Sequence, residues 1–167
     1  MNKIIIIGSP GSGKSTYANK LGQKLNLPVF HLDKIFWKNN WSPISQDEFV
    51  LRQEEIMKGE RWILDGNFTK TIDFRAKKAD TIIFFDYPKW LSLWRILKRY
   101  FIHFRNVRPD MGGNNKERLY GEHIRFILNY PRENVMNILA KYNDKNIIIF
   151  RNDKDVCKTY PGASDKQ

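Results

Sequence analysis

Eight consecutive residues near the start of the chain, Gly8-Ser9-Pro10-Gly11-Ser12-Gly13-Lys14-Ser15, fill every position of the pattern G-x-x-x-x-G-K-[ST]. Each residue type has a task in holding phosphate. Glycines let the backbone wrap closely, with its N–H groups pointing inward at phosphate oxygens. Lys14 supplies a point charge for β- and γ-phosphates, and Ser15 an oxygen for Mg²⁺. A helix opening at this point adds the positive end of its dipole. The pattern implies a loop that binds a nucleoside triphosphate.

A second group of chemistry-bearing residues stands at the ends of apolar runs. Asp65 closes Trp62-Ile63-Leu64-Asp65-Gly66, the position of a carboxylate that serves Mg²⁺ or its waters in phosphoryl transfer. Asp33 follows Val29-Phe30-His31-Leu32 and reads as a base or metal ligand facing the γ-phosphate, or as a satisfied turn aspartate. Asp86 precedes Pro88 by two residues and reads most simply as the N-cap of the next helix. Arg95 and Arg99 form an i, i+4 pair on one helix face, placed to stack on an adenine, to clamp phosphates, or to make a solvated basic rim. Arg105, Arg108, Arg118, Arg125 and Arg132 surround a long connection, and a closing lid would bring arginines to the charge that spreads over a transferring phosphoryl group. Arg125 and Arg132 are the catalytic candidates among them, beside Lys14 and Asp33. His31, His103 and His123 lack metal-ligand spacing and read as structural.

These residues need a scaffold, and the sequence outlines one. Apolar, β-branched runs at 3–7, 28–32, 61–65, 81–86 and 146–151 predict five strands. Helical patterns separate them, the alternation of a parallel sheet with helices on both faces. Ala18, Leu21 and Leu25 give the first helix its buried stripe, and Asn26 with Pro28 ends it. Ser45-Gln46-Asp47-Glu48 is a capping box, so a helix starts there and runs to about Gly59. After Asp86, the spacing of Trp90, Trp94, Leu97, Phe101 and Phe104 predicts a helix that turns those side chains to the core. The connection that follows is long enough to predict a lid at about 105–132, with a helix over 117–129. Val135, Ile138, Leu139 and Tyr142 predict one more helix, and residues 158–167 a loose tail.

The size of the chain, 167 residues, suits one domain with a single core, here 1–157. The first strand begins at residue 3, which leaves no room for a signal peptide, and no apolar run nears the ~18 residues of a membrane span. Cys157 is the sole cysteine, which fits a reducing compartment. A cytoplasmic protein without a membrane, monomeric or a weak homodimer, is the expectation. The net charge is +11, and ten basic residues against three acids between Lys89 and Arg132 supply +7 of it. Such a field attracts a nucleotide or a nucleic acid, although no helix-turn-helix or RNA-stacking motif is legible.

The phosphate-binding loop at the first strand, Asp-Gly after the third, and Phe-Asp-Tyr-Pro followed by Arg-x-x-x-Arg together resemble the adenylate-kinase-related P-loop kinase superfamily. Local runs are similar to the bacterial DNA topology modulation proteins: His-Leu-Asp-Lys-Ile-Phe-Trp at 31–37, Trp-Ile-Leu-Asp-Gly-Asn-Phe at 62–68 and Arg-Pro-Asp-Met at 108–111. The resemblance implies an α/β fold with a doubly wound, five-stranded parallel sheet of order 2-3-1-4-5 and a helical lid after strand four. It implies ATP and Mg²⁺, Gly8 to Thr16 as the phosphate cradle, and Asp65 as an outer-sphere Mg²⁺ partner. Arg95 would lie near the adenine with Arg99 beside it, and Arg151 to Asp153 would contact the base. One departure bears on the acceptor. Adenylate kinases seat an acceptor phosphate with an arginine after strand two, whereas Asp33 leads that segment here. An acid there resembles shikimate- and gluconate-kinase-like enzymes, whose acceptor is a hydroxyl. The expected activity is ATP-dependent transfer of the γ-phosphate to a small acceptor, hydroxyl or nucleotide; the alternative is a nucleic-acid-binding ATPase.

Overall fold

Ile4, Ile5, Ile6 and Ile7 are fully buried, so the first strand is covered on both faces and belongs at the centre of a sheet. The computed structural model, which describes residues 1–102 and 121–159, places it there. Strands β1 (Lys3–Gly8), β2 (Val29–His31), β3 (Trp62–Asp65), β4 (Thr81–Phe85) and β5 (Asn146–Phe150) form one sheet of order β2-β3-β1-β4-β5. All pairings are parallel, with Ile6 opposite Asp65 and Ile83, and His31 opposite Asp65. The expected topology is therefore present.

Eight helices connect and cover the strands in the described residues: α1 (Lys14–Leu25), α2 (Leu32–Phe36), α3 (Gln46–Met57), α4 (Ile72–Lys78), α5 (Lys89–Ile102), α6 (Gly121–Leu128), α7 (Arg132–Ala140) and α8 (Asp153–Thr159). One core packs Ile5, Ile7, Leu64, Ile82 and Phe84 against Phe49 and Met57 of α3, Ile72 and Ala76 of α4, and Val135 and Leu139 of α7. The other packs Ile4, Ile6, Ile63, Ile83 and Phe85 against Tyr17, Ala18 and Leu21 of α1 and Val156 of α8. Each such aliphatic or aromatic side chain contributes about 1.5–3 kcal/mol on burial. The caps follow the sequence. Ser45 accepts the Glu48 amide at 3.1 Å to open α3, and Asn26, at φ 51°, closes α1 in the left-handed conformation.

Three expectations change. The aromatic stripe of α5 does not face the core: Trp90, Trp94 and Phe101 are 67%, 58% and 76% exposed. Its inner face is made by Ser92 and Ile96 instead. A Cβ on Gly11 would lie 2.5 Å from the Ser92 carbonyl oxygen and 2.8 Å from Ile96 Cγ1, so the helix rides directly on the glycine loop. A tryptophan has no room at such an approach. Asp86 is not the N-cap of α5, which begins at Lys89, and its carboxylate is engaged elsewhere. Residues 158 and 159, expected in a tail, complete α8; the remainder of that tail lies outside the described residues, as do Arg105, Arg108, Arg118, His103, Phe104, the 108–111 run and most of the expected lid.

Candidate functional site

The glycine loop leaves β1 at Gly8 and enters α1 at Lys14. Gly13, the α1 N-cap, has φ 91°, a conformation that only glycine adopts without strain. The first turn of α1 carries no acidic residue, so no local carboxylate offsets the positive end of the helix. Lys14 Nζ donates to the Ser9 carbonyl at 2.8 Å, folding its charge over the loop. Ser15 is half-buried and Thr16 exposed in that turn. Ser9 Oγ and Ser92 Oγ are 2.8 Å apart and buried, which fastens the loop to α5.

Arg95 arrives from α5 and joins the loop after β5. Its Nη1 donates to the Ser12 carbonyl at 3.4 Å and its Nη2 to Asp153 Oδ2 at 2.6 Å, while its guanidinium carbon lies 5.1 Å above the Tyr87 ring. The Tyr87 hydroxyl donates to Asp153 Oδ1 at 2.8 Å. Burial pushes the Asp153 carboxyl up, but the hydrogen bonds from Arg95 and Tyr87 and the Arg95 charge outweigh it, and it titrates below the usual aspartate range. Burial, followed by the bond to Asp153, pushes the Tyr87 phenol up. Arg99 lies one helical turn further, half-buried.

On the other side of β1 the groups are acidic. Asp65 is 3% exposed; its Oδ2 meets His31 Nδ1 at 2.7 Å, and its Oδ1 has no hydrogen-bond partner among the described residues. His31 Nε2 lies 3.0 Å from Asn19 Oδ1, so the imidazole links β2, β3 and α1. Asp33 lies in the first turn of α2, half-buried, two residues past His31. A buried carboxylate oxygen without a partner, together with the Ser15 hydroxyl, suits a hard cation that takes oxygen ligands. No cluster of three or more metal-ligating side chains exists among the described residues, so Mg²⁺ would have to bring most of its oxygens from phosphates and water.

Sequence reasoning missed the residues that join these two sides. Asp86, its side chain 8% exposed, accepts from Arg132 Nε at 2.6 Å and from Nη2 at 2.7 Å. The Asp86 hydrogen bond and charge raise the Arg132 guanidinium further above its ordinary value. Tyr130 donates to Asn67 Oδ1 at 2.8 Å, and burial with the nearby Asp86 charge pushes its phenol up. Arg75, fully buried, donates to the carbonyls of Gly66 (2.9 Å), Asn67 (2.6 Å), Phe68 (3.3 Å) and Thr71 (3.2 Å). Burial pushes its guanidinium down to about 9, still cationic at neutral pH. The signal for Arg75 was faint, one arginine in an otherwise unremarked helix. For Asp86 it lay in the Phe-Asp-Tyr-Pro run.

A cavity of about 390 Å³ opens beside Ser9 and is walled by Asp86, Tyr87, Tyr130, Arg132 and Arg151 among others. The structure thus gathers the glycine loop, Arg95 and Arg132 around the carboxyl ends of β1, β4 and β5, where ligands bind in open parallel sheets. Arg125 is not brought to this wall; it stands exposed in the last turn of α6.

The chain is similar to adenylate kinase of Rickettsia africae (strain ESF-5), 30% identical over 58% of this chain and 58% of that enzyme. It is 27% identical to adenylate kinase of Mycobacterium leprae (strain Br4923), over 54% of this chain and 50% of the relative. The matches thus span about half the length of these curated relatives. In fold it is similar to shikimate kinase from Acinetobacter baumannii, solved in complex with shikimate, with a TM-score of 0.59 at 15% identity over 99% of this chain and 96% of that one. Shikimate kinase from Bacteroides thetaiotaomicron follows with a TM-score of 0.55 at 17% identity, over 90% and 86%. No protein-family model matches the chain. By sequence the chain is thus similar to adenylate kinases over part of its length, and it shares its fold with the shikimate kinases.

Proposed function

We propose that the chain is an ATP-dependent phosphotransferase that moves the γ-phosphate to a small acceptor, with a hydroxyl preferred over a phosphate as the accepting group. The observation that carries this reading is the glycine loop, clamped by α5 and opening a helix at Lys14, with acids on one side and arginines on the other. In it, the loop amides and Lys14 hold the β- and γ-phosphates, and Arg95 with the Arg151–Asp153 loop receives the base. Asp33 takes the acceptor proton, and Arg132 faces the charge that develops on the transferring group. Ser15 and Asp65 are the residues that would hold Mg²⁺ or its waters, and the cation would supply neutralisation of the phosphate charge. A coupled ADP-release assay over nucleoside monophosphates, sugars and other hydroxyl compounds tests the proposal. If no acceptor raises turnover above basal hydrolysis, the reading fails.

A second reading, a nucleic-acid-binding ATPase as the likeness to topology modulation proteins implies, draws on the outer face of α5. There Lys89 lies 5.6 Å from the Trp90 ring and Lys98 5.4 Å from the Trp94 ring, both rings exposed. Base stacking with phosphate contact uses such pairs. DNA binding that disappears near physiological salt would remove this reading.

A further inference from the structure

We infer that Asp86 is a positioning residue for phosphoryl transfer, fixing Arg132 so that its uncommitted N–H groups face the phosphate end of the cavity. The inference rests on the phosphotransferase reading and adds a residue to it. Arginine carries five N–H donors, and the side-on pairing through Nε and Nη2 uses two of them. The other three have no partner among the described residues, on a side chain that is 52% exposed and lines the same cavity as Ser9 of the glycine loop.

Both ends of the pair are fixed. The Asp86 amide donates to the Phe150 carbonyl at 2.8 Å, which sets the carboxylate on the edge of the sheet. The Arg132 amide donates to the Tyr130 carbonyl at 2.7 Å, and the Tyr130 hydroxyl is bound to Asn67. Stability alone does not account for this arrangement. A half-exposed arginine stabilises little, and burying a carboxylate costs desolvation that such a partner only partly offsets. Geometry does account for it. A guanidinium held by two parallel bonds has its plane defined, whereas an arginine on a flexible stem must be ordered at every turnover. Partial neutralisation by Asp86 is the cost of that order.

The experiment uses the full chain and Mg²⁺-dependent ATP turnover, with nucleotide affinity measured by calorimetry. Arg132→Ala and Asp86→Asn should each lower kcat about 10- to 100-fold while KM for ATP stays within about 2-fold, the pattern of losing one preorganised donor. Guanidinium ion should restore Arg132→Ala several-fold by occupying the place beside Asp86, and should not restore the Asp86→Asn/Arg132→Ala double variant. A merely structural Asp86 would give no such difference. Should the double variant fail to fold, Asp86→Glu with Arg132→Ala serves, and rescue there should be weaker than with Asp86 intact. Wild-type turnover in Asp86→Asn beside an impaired Arg132→Ala, or equal rescue of single and double variants, overturns this inference alone. A wild type that transfers phosphate to no acceptor and binds no nucleotide removes the parent reading and this inference with it.

Discussion

Arg75→Met is the sharpest test of how the loop after β3 is built. The substitution keeps a long side chain and removes a fully buried guanidinium whose donors serve the carbonyls of Gly66, Asn67, Phe68 and Thr71. An acceptor left buried without a partner costs about 1–3 kcal/mol, and the Phe68 carbonyl keeps the Thr71 amide at 2.9 Å and hydroxyl at 3.1 Å, so the Gly66 and Asn67 carbonyls set a gross loss of roughly 2–6 kcal/mol. No longer burying the cation returns part of that. The net expectation is about 1–4 kcal/mol. At roughly 2–4 °C per kcal/mol for a chain of this size, Tm should fall by about 3–12 °C in a calorimetric melt. A local consequence accompanies it. Phe68 sits at φ 32° and ψ 69°, a conformation costly for an aromatic residue, and the guanidinium on its carbonyl helps to hold it. Released, the loop should no longer present Asn67 to Tyr130, and acceptor-dependent turnover should drop at least 10-fold with ATP affinity within about 2-fold. Arg75→Lys, which keeps the charge but not the planar fork, should fall between. A Tm for Arg75→Met within about 2 °C of wild type would refute the reasoning.

Three further outcomes are expected. Lys14→Ala should weaken ATP binding about 30- to 100-fold by calorimetry, the loss of one charge-assisted phosphate contact, and an unchanged heat of association would remove the nucleotide site. Gly11→Ala should push α5 off the loop, because its Cβ would stand 2.5 Å from the Ser92 carbonyl at φ 78°; ATP affinity should fall at least 10-fold, and wild-type binding would show that the approach is not tight. The Arg95–Asp153 clasp should weaken only in acid. Because the folded Asp153 value is depressed, its contribution is present above the ordinary value of 3.8 and is lost as pH falls through the lower folded value. Melts between pH 6 and 2.5 should show a shallower acid loss for Asp153→Asn, and identical slopes would rule the clasp out.

The sheet was legible because its strands are short β-branched runs buried on both faces, and a run of four isoleucines admits few other readings. The glycine loop was legible because phosphate binding demands a fixed spacing. The orientation of α5 was not. Periodicity says which residues are apolar, but the side turned inward is decided by what the helix meets, and here that is the glycine backbone, which selects Ser92 and Ile96 over two tryptophans. Arg75 and the Asp86–Arg132 pair were hidden for a related reason. Their partners are backbone carbonyls in one case and a residue 46 positions away in the other, and neither leaves a local pattern. Asp65 was found as a strand-end acid, whereas its bond to His31 follows only from the β2–β3 register.

The order of charges along the carboxyl edge of the sheet argues for the chemistry of the acceptor. Lys14, Arg95, Arg132 and Arg151 belong to β1, β4, β5 and the helices beyond them, while Asp33 and Asp65 follow β2 and β3. A triphosphate fits the basic side. In the proposed reading, an acceptor on the acidic side would meet Asp33, half-buried in the first turn of α2. A hydroxyl would offer that carboxylate a donor. A phosphate offers only acceptors and like charge, and two unit charges about 4–5 Å apart at an effective dielectric near 20 repel by roughly 3–4 kcal/mol. Screening and rearrangement would reduce that in solution, so a preference of about 10- to 100-fold in kcat/KM is expected for a neutral hydroxyl compound over its monophosphorylated counterpart. Measuring both in the same ADP-release assay decides the matter. A phosphorylated acceptor used equally well would mean that Asp33 does not face the accepting group.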